Sequence, residues 1–229
     1  MAITTTAIST TPQVIVTGDN LVARASELGD YKLYTLPFAT TVEPRQMKQA
    51  RLLDRHDVRF ERLYEYRVTE AVLDQSTPES ARSLLRLTNT KRMGLGVPLP
   101  AGTWRIMETR SDGRQYFVGE HSLDDTPVDL PRDIELGDSN DVTVVSRMTE
   151  EAISQDDGER SVVEVEIGNA GARAVNVEVL HSQQFPENGR IVKASHPHHT
   201  KEGDYVWSLR VPANERTVLR YTLVKPDRN

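Results

Sequence analysis

The sequence predicts an all-β fold made of tandem β-sandwiches, of which the C-terminal one is immunoglobulin-like. The first observation is the alternation of Leu85 and Leu87 with polar neighbours, the period-two pattern of a half-buried strand. The second is the run of turn-forming residues that follows, in which Pro98 and Pro100 exclude a helix. The same succession of short strands and turns recurs along the chain, with almost no helical periodicity.

The clearest strands lie in the last third of the chain, where apolar residues repeat at every second position. Short polar or glycine-containing stretches separate them, as they do between the strands of a sandwich. These runs are Val163, Val165 and Ile167; Val175, Val177 and Val179; Tyr205, Trp207, Leu209 and Val211; and Leu219, Tyr221 and Leu223. Regular strands joined by turns favour an immunoglobulin-like sandwich, although the chain has no cysteine and so lacks the inter-sheet disulfide of antibody domains.

Composition divides the chain into four parts. Residues 1–29 are rich in Thr and Ser and are expected to form an extended N-terminal arm, and residues 30–149 a β-rich domain. Residues 150–160 are acidic and nearly free of apolar side chains, so they are interpreted as a linker to an immunoglobulin-like sandwich at 161–229. Residues 44–54 fit either a helix opened by a proline or a strand, and the strand is favoured because the segment lies among strands.

Charge and residue usage exclude several functional classes. The 229 residues include 28 Lys and Arg against 34 Asp and Glu, a formal net charge of −6, so a nucleic-acid partner is not expected. The absence of cysteine removes disulfides, thiolate metal sites and cysteine nucleophiles together. No run of about 18 apolar residues is present, so no helix is expected to span a membrane. Nothing in the sequence indicates a cofactor.

The N-terminal arm carries one short apolar run, Val14, Ile15 and Val16, within otherwise polar sequence. An extended apolar segment of this kind can add as a strand to the open edge of a neighbouring sheet. We therefore expect a protein partner, and in particular a homo-oligomer or larger assembly formed through this arm.

The histidine-rich segment around His196 and His198 is the most metal-like feature. In an extended backbone these two imidazoles project to the same side, as two ligands of Zn²⁺, Ni²⁺ or Cu²⁺ would. A complete site needs a third protein ligand, for which His181 or Asp204 is available. The ordinary interpretation is a polar loop between two strands.

A second candidate cation site is the polar sequence that contains Asp138, Asn140 and Asp141. Side-chain oxygens on a tight loop are the ligands that Ca²⁺ prefers. The spacing lacks the terminal Glu of an EF-hand loop, and the same residues are common in turns. The alternative is therefore a plain turn.

Aromatic side chains offer a further possibility, because they form the platforms on which sugar rings stack. Placed at strand-alternating positions, such residues belong more often to a core. The aromatic residues concerned are Tyr64, Tyr66, Trp104, Phe117 and Trp207.

Several sequence blocks together resemble a known family. The blocks are RLTNTKRMGLGVPLPAGTWRI, FVGE at Phe117–Glu120, DDTPVD at Asp124–Asp129 and IELGDSNDV at Ile134–Val142, with flanking similarity from about Glu27 to Val224. In their order and spacing they resemble the C-terminal domain of unknown function of the mucoidy-inhibitor-like bacterial proteins. The resemblance implies an extracytoplasmic location and supplies no catalytic residues.

The sequence therefore predicts a non-enzymatic structural or interaction module, a subunit of a cell-surface or other multi-chain assembly. One alternative is a module that binds cell-envelope polysaccharide, which depends on an exposed aromatic residue. The other is a metal-dependent hydrolase, which depends on a complete histidine site.

Overall fold

The structure, a computed structural model, describes residues 2–5, 24–28, 31–35, 53, 55, 57–69, 77–109, 112–154, 158–182 and 189–225. Fourteen strands make up most of this part of the chain, which holds a single 3₁₀ turn, Lys91–Met93, and no α-helix. The all-β prediction is confirmed. The strands are β1 Ala2–Thr5, β2 Arg24–Leu28, β3 Tyr31–Thr35, β4 Phe60–Val68, β5 Glu79–Thr88, β6 Gly102–Thr109, β7 Gln115–Leu123, β8 Pro131–Ser154, β9 Gly158–Asn169, β10 Val175–Ser182, β11 Arg190–Ala194, β12 His199–Lys201, β13 Asp204–Val211 and β14 Glu215–Lys225.

The chain forms two compact units. The first unit contains residues 1–59 and 88–130, and the second contains residues 60–87 and 131–229. The first unit has a three-stranded sheet in the order β1-β6-β7 and a two-stranded sheet of β2 and β3. The second unit has one nine-stranded sheet in the order β11-β14-β9-β8-β5-β4-β10-β13-β12, in which only β4 and β10 are described as a parallel pair.

The acidic linker predicted at 150–160 does not separate two domains in the structure. Residues 150–154 belong to β8 and residues 158–160 to β9, and the pairing of these two strands continues through Glu151 opposite Arg160 to Ser154 opposite Gly158. The main chain pairs whatever side chains it carries, so a strand can continue through a polar stretch that the apolar pattern cannot mark. The boundaries between the units fall instead after residues 59, 87 and 130.

The core of the second unit is aromatic as well as aliphatic. Trp207 on β13 stacks on Tyr221 on β14, with ring centroids 4.5 Å apart and planes 24° apart. Five strands stand between β13 and β14 in the sheet order, so the sheet curls until the inner faces of its two halves meet. Valines and leucines from both halves fill the space around this stack, among them Val144, Val165 and Val179.

A buried asparagine joins the two ends of the segment that connects β9 to β14 in the second unit. Asn169 ends β9, and its Nδ2 donates to the carbonyl oxygens of Arg173 at 2.9 Å, Val211 at 3.3 Å and Pro212 at 2.8 Å. Its Oδ1 accepts the N–H of Gly171 at 2.9 Å. One side chain thus joins the beginning and the end of the segment that carries β10 to β13.

The first unit contains the same arrangement. Asn89 follows β5, and its Nδ2 donates to the carbonyl oxygens of Val97 at 2.8 Å, Thr126 at 3.3 Å and Pro127 at 2.9 Å. Its Oδ1 accepts the N–H of Gly96 at 3.0 Å. We call these two arrangements the Asn89 neck and the Asn169 neck, because each ties together the start and the end of a long connection.

Candidate functional site

Several buried imidazole and hydroxyl groups of the second unit form hydrogen bonds with other side chains of the unit. His181 Nδ1 lies 2.7 Å from the Tyr221 hydroxyl, and both side chains are fully buried. The Tyr66 hydroxyl donates to Glu79 at 3.1 Å and lies 3.2 Å from the buried Ser146 hydroxyl. Burial raises the pKa of Tyr66 to about 12 and raises the pKa of Tyr221 well above its usual value. These contacts satisfy polar groups within a packed core.

The two histidines predicted as metal ligands have different partners. His196 Nδ1 lies 2.9 Å from the hydroxyl of Ser195. The His198 ring instead packs against Tyr205 and Trp207, at centroid distances of 5.4 and 5.5 Å. The chain bends at 195–196, so the extended backbone on which the shared direction of the two imidazoles depended is not present there.

The residues proposed as a third ligand are also engaged elsewhere. His181 lies in the core beside Tyr221, and Asp204 accepts a hydrogen bond from Arg67 at 2.5 Å. Throughout the described ranges, no three His, Cys, Asp or Glu side chains come close enough together to hold a metal ion.

The polar stretch predicted as a turn or a Ca²⁺ loop lies inside strand β8. Asp138, Asn140 and Asp141 are exposed, and the buried Ser139 between them accepts the N–H groups of Asp141 at 3.2 Å and Val142 at 3.0 Å. A serine hydroxyl here replaces ladder hydrogen bonds, which lets turn-forming residues remain in a strand. The tight loop that the Ca²⁺ hypothesis required is therefore absent.

The predicted interaction arm is described only in part. Val14, Ile15 and Val16 lie outside the described residues. The start of the arm forms β1, which pairs antiparallel with β6 from Ala2 opposite Met107 to Thr5 opposite Trp104.

Most of the aromatic residues considered for a sugar platform are buried. Trp104, Trp207 and Tyr66 are each at most 6% exposed, and Tyr64 is half-buried. Phe117 on β7 is 59% exposed and is the aromatic of this group that remains available to a partner.

An arginine on β5, the central strand of the nine-stranded sheet, binds carboxylates from two other strands. Arg86 on β5 meets Asp133 on β8 through two hydrogen bonds of 2.7 Å, and Glu178 on β10 through bonds of 2.6 and 3.0 Å. These hydrogen bonds, to Asp133 first, raise the pKa of Arg86. Burial raises the pKa of the nearby Glu65, although Arg67 opposes the shift. The arrangement fixes three strands to one another.

A shallow trough lies elsewhere in the second unit, across β8, β9 and β14. Its volume is about 390 Å³, and its lining includes Gly168, which pairs with Thr143 on one side and Arg216 on the other. Arg216 is 74% exposed and forms an ion pair with Glu166, which is 27% exposed. Pro78 and Val145 add apolar surface to the lining. We call this site the Gly168 trough.

Sequence reasoning placed the glycine-containing stretch after Ile167 between two strands and did not find this trough. The trough depends on three strands that are far apart in sequence, and its central residue contributes no side chain at all. The usable signal was the interruption of the apolar alternation after Ile167 by a glycine that still lies within the strand.

Comparison with known proteins identifies no relative of this chain. No protein-family profile, no curated protein and no solved structure matches it. Within the described ranges, no helix is long and apolar enough to cross a membrane.

Proposed function

We propose that this protein is a non-enzymatic structural and interaction module, a subunit of a cell-surface or other multi-chain assembly that forms by strand exchange through the N-terminal arm. The observation that supports this most directly is the pairing of β1 with β6, because the start of the arm already adds as a strand to a sheet edge. The hydrogen-bonded state of the core groups His181, Tyr221 and Tyr66 also favours a structural role over a catalytic one.

Exchange of β1 between copies would cost little free energy. β1 has four residues against the eight of β6, so few main-chain hydrogen bonds break when it leaves. An identical strand from a second copy would restore the same pairs in the same register, which is the basis of domain swapping. The apolar residues Val14, Ile15 and Val16 would then lie between the two copies.

Removing residues 1–17 tests this proposal through the mass of the particle in solution, measured by light scattering after gel filtration. We expect the full chain to be oligomeric and the shortened chain to be monomeric. Replacing Val14, Ile15 and Val16 by Ser tests the apolar run alone, and Val192→Ser, which changes an exposed valine on β11, is the matched control. An unchanged mass after the deletion would eliminate the proposal.

We also infer that each of the two units is a β-sandwich and that the second is immunoglobulin-like. The stack of Trp207 on Tyr221 across the curled sheet supports the second of these inferences. The sequence blocks around Asn89 and Asp124–Asp129 support membership of the mucoidy-inhibitor-like C-terminal domains, and with it an extracytoplasmic location.

A second candidate function is the binding of cell-envelope polysaccharide. The exposed Phe117 favours it, since an exposed aromatic face can stack on a sugar ring. Screening the full chain and the Phe117→Ala variant on a glycan array tests this candidate. For the third function, a metal-dependent hydrolase, the described residues offer no group of ligands.

A further inference from the structure

We propose that the Gly168 trough binds a neutral saccharide of one or two sugar rings. The site belongs to the second unit, so the inference is independent of strand exchange through the arm. It gives the second candidate function a location that is distinct from Phe117.

The size of the trough sets the size of the ligand. A volume of about 390 Å³ lies at the small end of the range of roughly 300–1,000 Å³ that is typical of ligand sites. Gly168 contributes only main chain to the lining, and a Cβ built there would approach the Thr143 hydroxyl at 3.3 Å. A flat ring can therefore approach the main chain of β9 closely.

The charges that line the trough disfavour anionic ligands. Glu166 and Glu215 are negative and Arg216 is positive, so the lining carries a net charge of −1 (one positive and two negative groups). A phosphate or carboxylate ligand would face two carboxylates and one guanidinium that is already paired with Glu166. A cationic ligand would face the exposed Arg216. A neutral ligand avoids both penalties.

The hydrogen-bonding groups fit hydroxyl groups in particular. Arg216 keeps donors that its bond to Glu166 does not use, and Asn214 supplies both a donor and an acceptor amide group. Carboxylates accept from hydroxyls, and the guanidinium donates to them, so adjacent hydroxyls of one ring can be satisfied together. Pro78 and Val145 provide the apolar surface that the C–H face of a sugar ring needs.

The test titrates the full chain with neutral disaccharides (maltose, cellobiose and chitobiose) at up to about 10 mM while amide NMR shifts are recorded. Digalacturonate serves as the anionic probe of similar size. We expect at least one neutral disaccharide to bind and to shift the amides of Thr143, Gly168 and Arg216. Digalacturonate is expected to bind at least about tenfold more weakly.

Two variants, each with a matched control, locate the binding. Gly168→Val adds a side chain to the lining, and its control Gly102→Val adds a side chain where no atom lies within 4 Å of the new Cβ. Arg216→Gln removes donors from the trough, and its control Arg220→Gln removes an equivalent exposed arginine that pairs with Glu164. Each trough variant is expected to weaken binding at least about tenfold, and each control less than about twofold.

Three results would overturn the proposal. The first is the absence of amide shifts at the trough with any neutral disaccharide. The second is equal or tighter binding of digalacturonate. The third is a pattern of binding that does not follow the trough, namely undiminished binding by Arg216→Gln, a surface variant that is expected to fold, or binding lost only in Phe117→Ala, which would place the saccharide site on the first unit.

Discussion

Replacing Asn169 by Ala removes the side chain that closes the Asn169 neck and leaves four main-chain groups without their partner. These are the carbonyl oxygens of Arg173, Val211 and Pro212 and the N–H of Gly171. Each hydrogen bond of this kind contributes about 1 kcal/mol net, and an unsatisfied buried group costs more. Because several of these groups can regain contact with water, we expect Asn169→Ala to lower the free energy of unfolding by about 3 kcal/mol.

The two tryptophans allow this effect to be measured in one unit at a time. Trp207 lies in the second unit and Trp104 in the first, and the chain has no others. In a Trp104→Phe background, the fluorescence of Trp207 during urea unfolding reports on the second unit. Asn176→Ala is the control, since that exposed side chain makes one hydrogen bond, to Glu61 at 3.2 Å. A loss below about 1 kcal/mol, or no larger than in the control, would refute the reasoning.

Two further predictions concern Arg86 and Glu65 in the second unit. Arg86→Met leaves Asp133 and Glu178 half-buried without their cation, so we expect a loss of about 2 kcal/mol in urea unfolding; an effect equal to that of Arg82→Met, which breaks a looser 3.4 Å pair, would contradict this. Burial raises the pKa of Glu65 above its ordinary 4.5, so the folded state binds this proton more tightly than the unfolded state does. The free energy of unfolding therefore falls as the pH rises from the ordinary pKa through the raised one. Glu65→Gln should therefore raise the free energy of unfolding at pH 7, and this gain should disappear below about pH 4.5. Urea unfolding curves that show the same gain at pH 7 and below about pH 4.5 would disprove the prediction.

Sequence reasoning was most successful where one strand face is buried. The alternation of Val163, Val165 and Ile167 predicts β9, and all three side chains are fully buried in the core. It failed at 150–154 and 158–160, where strand pairing continues through polar residues, and at 137–141, which lie within β8. In the second case a positive φ of 106° at Gly137 and the hydroxyl of Ser139 accommodate residues that normally form turns.

The candidate sites were harder to predict because they depend on how strands are arranged in the sheet. The shared direction of His196 and His198 required an extended chain, and a local bend removes it. Gly168, Thr143 and Arg216 come together only because β8, β9 and β14 are neighbours in one register, which a single sequence cannot reveal. The core interpretation of Trp104 and Trp207, by contrast, followed from their strand-alternating positions, and both side chains are buried.

The two necks suggest that both long connections are built on one plan. Asn89 directly follows β5 and Asn169 ends β9. Each bonds to the carbonyl of a proline, and a residue of positive φ lies two positions beyond that proline, at Asp129 and Asn214. The strand after each connection, β8 or β14, is the sheet neighbour of β5 or β9 respectively. Only an amide on a short side chain supplies the donors for several carbonyls together with an acceptor for an N–H, since aspartate has no donor and serine has one. The asparagine therefore holds the two ends of each connection together.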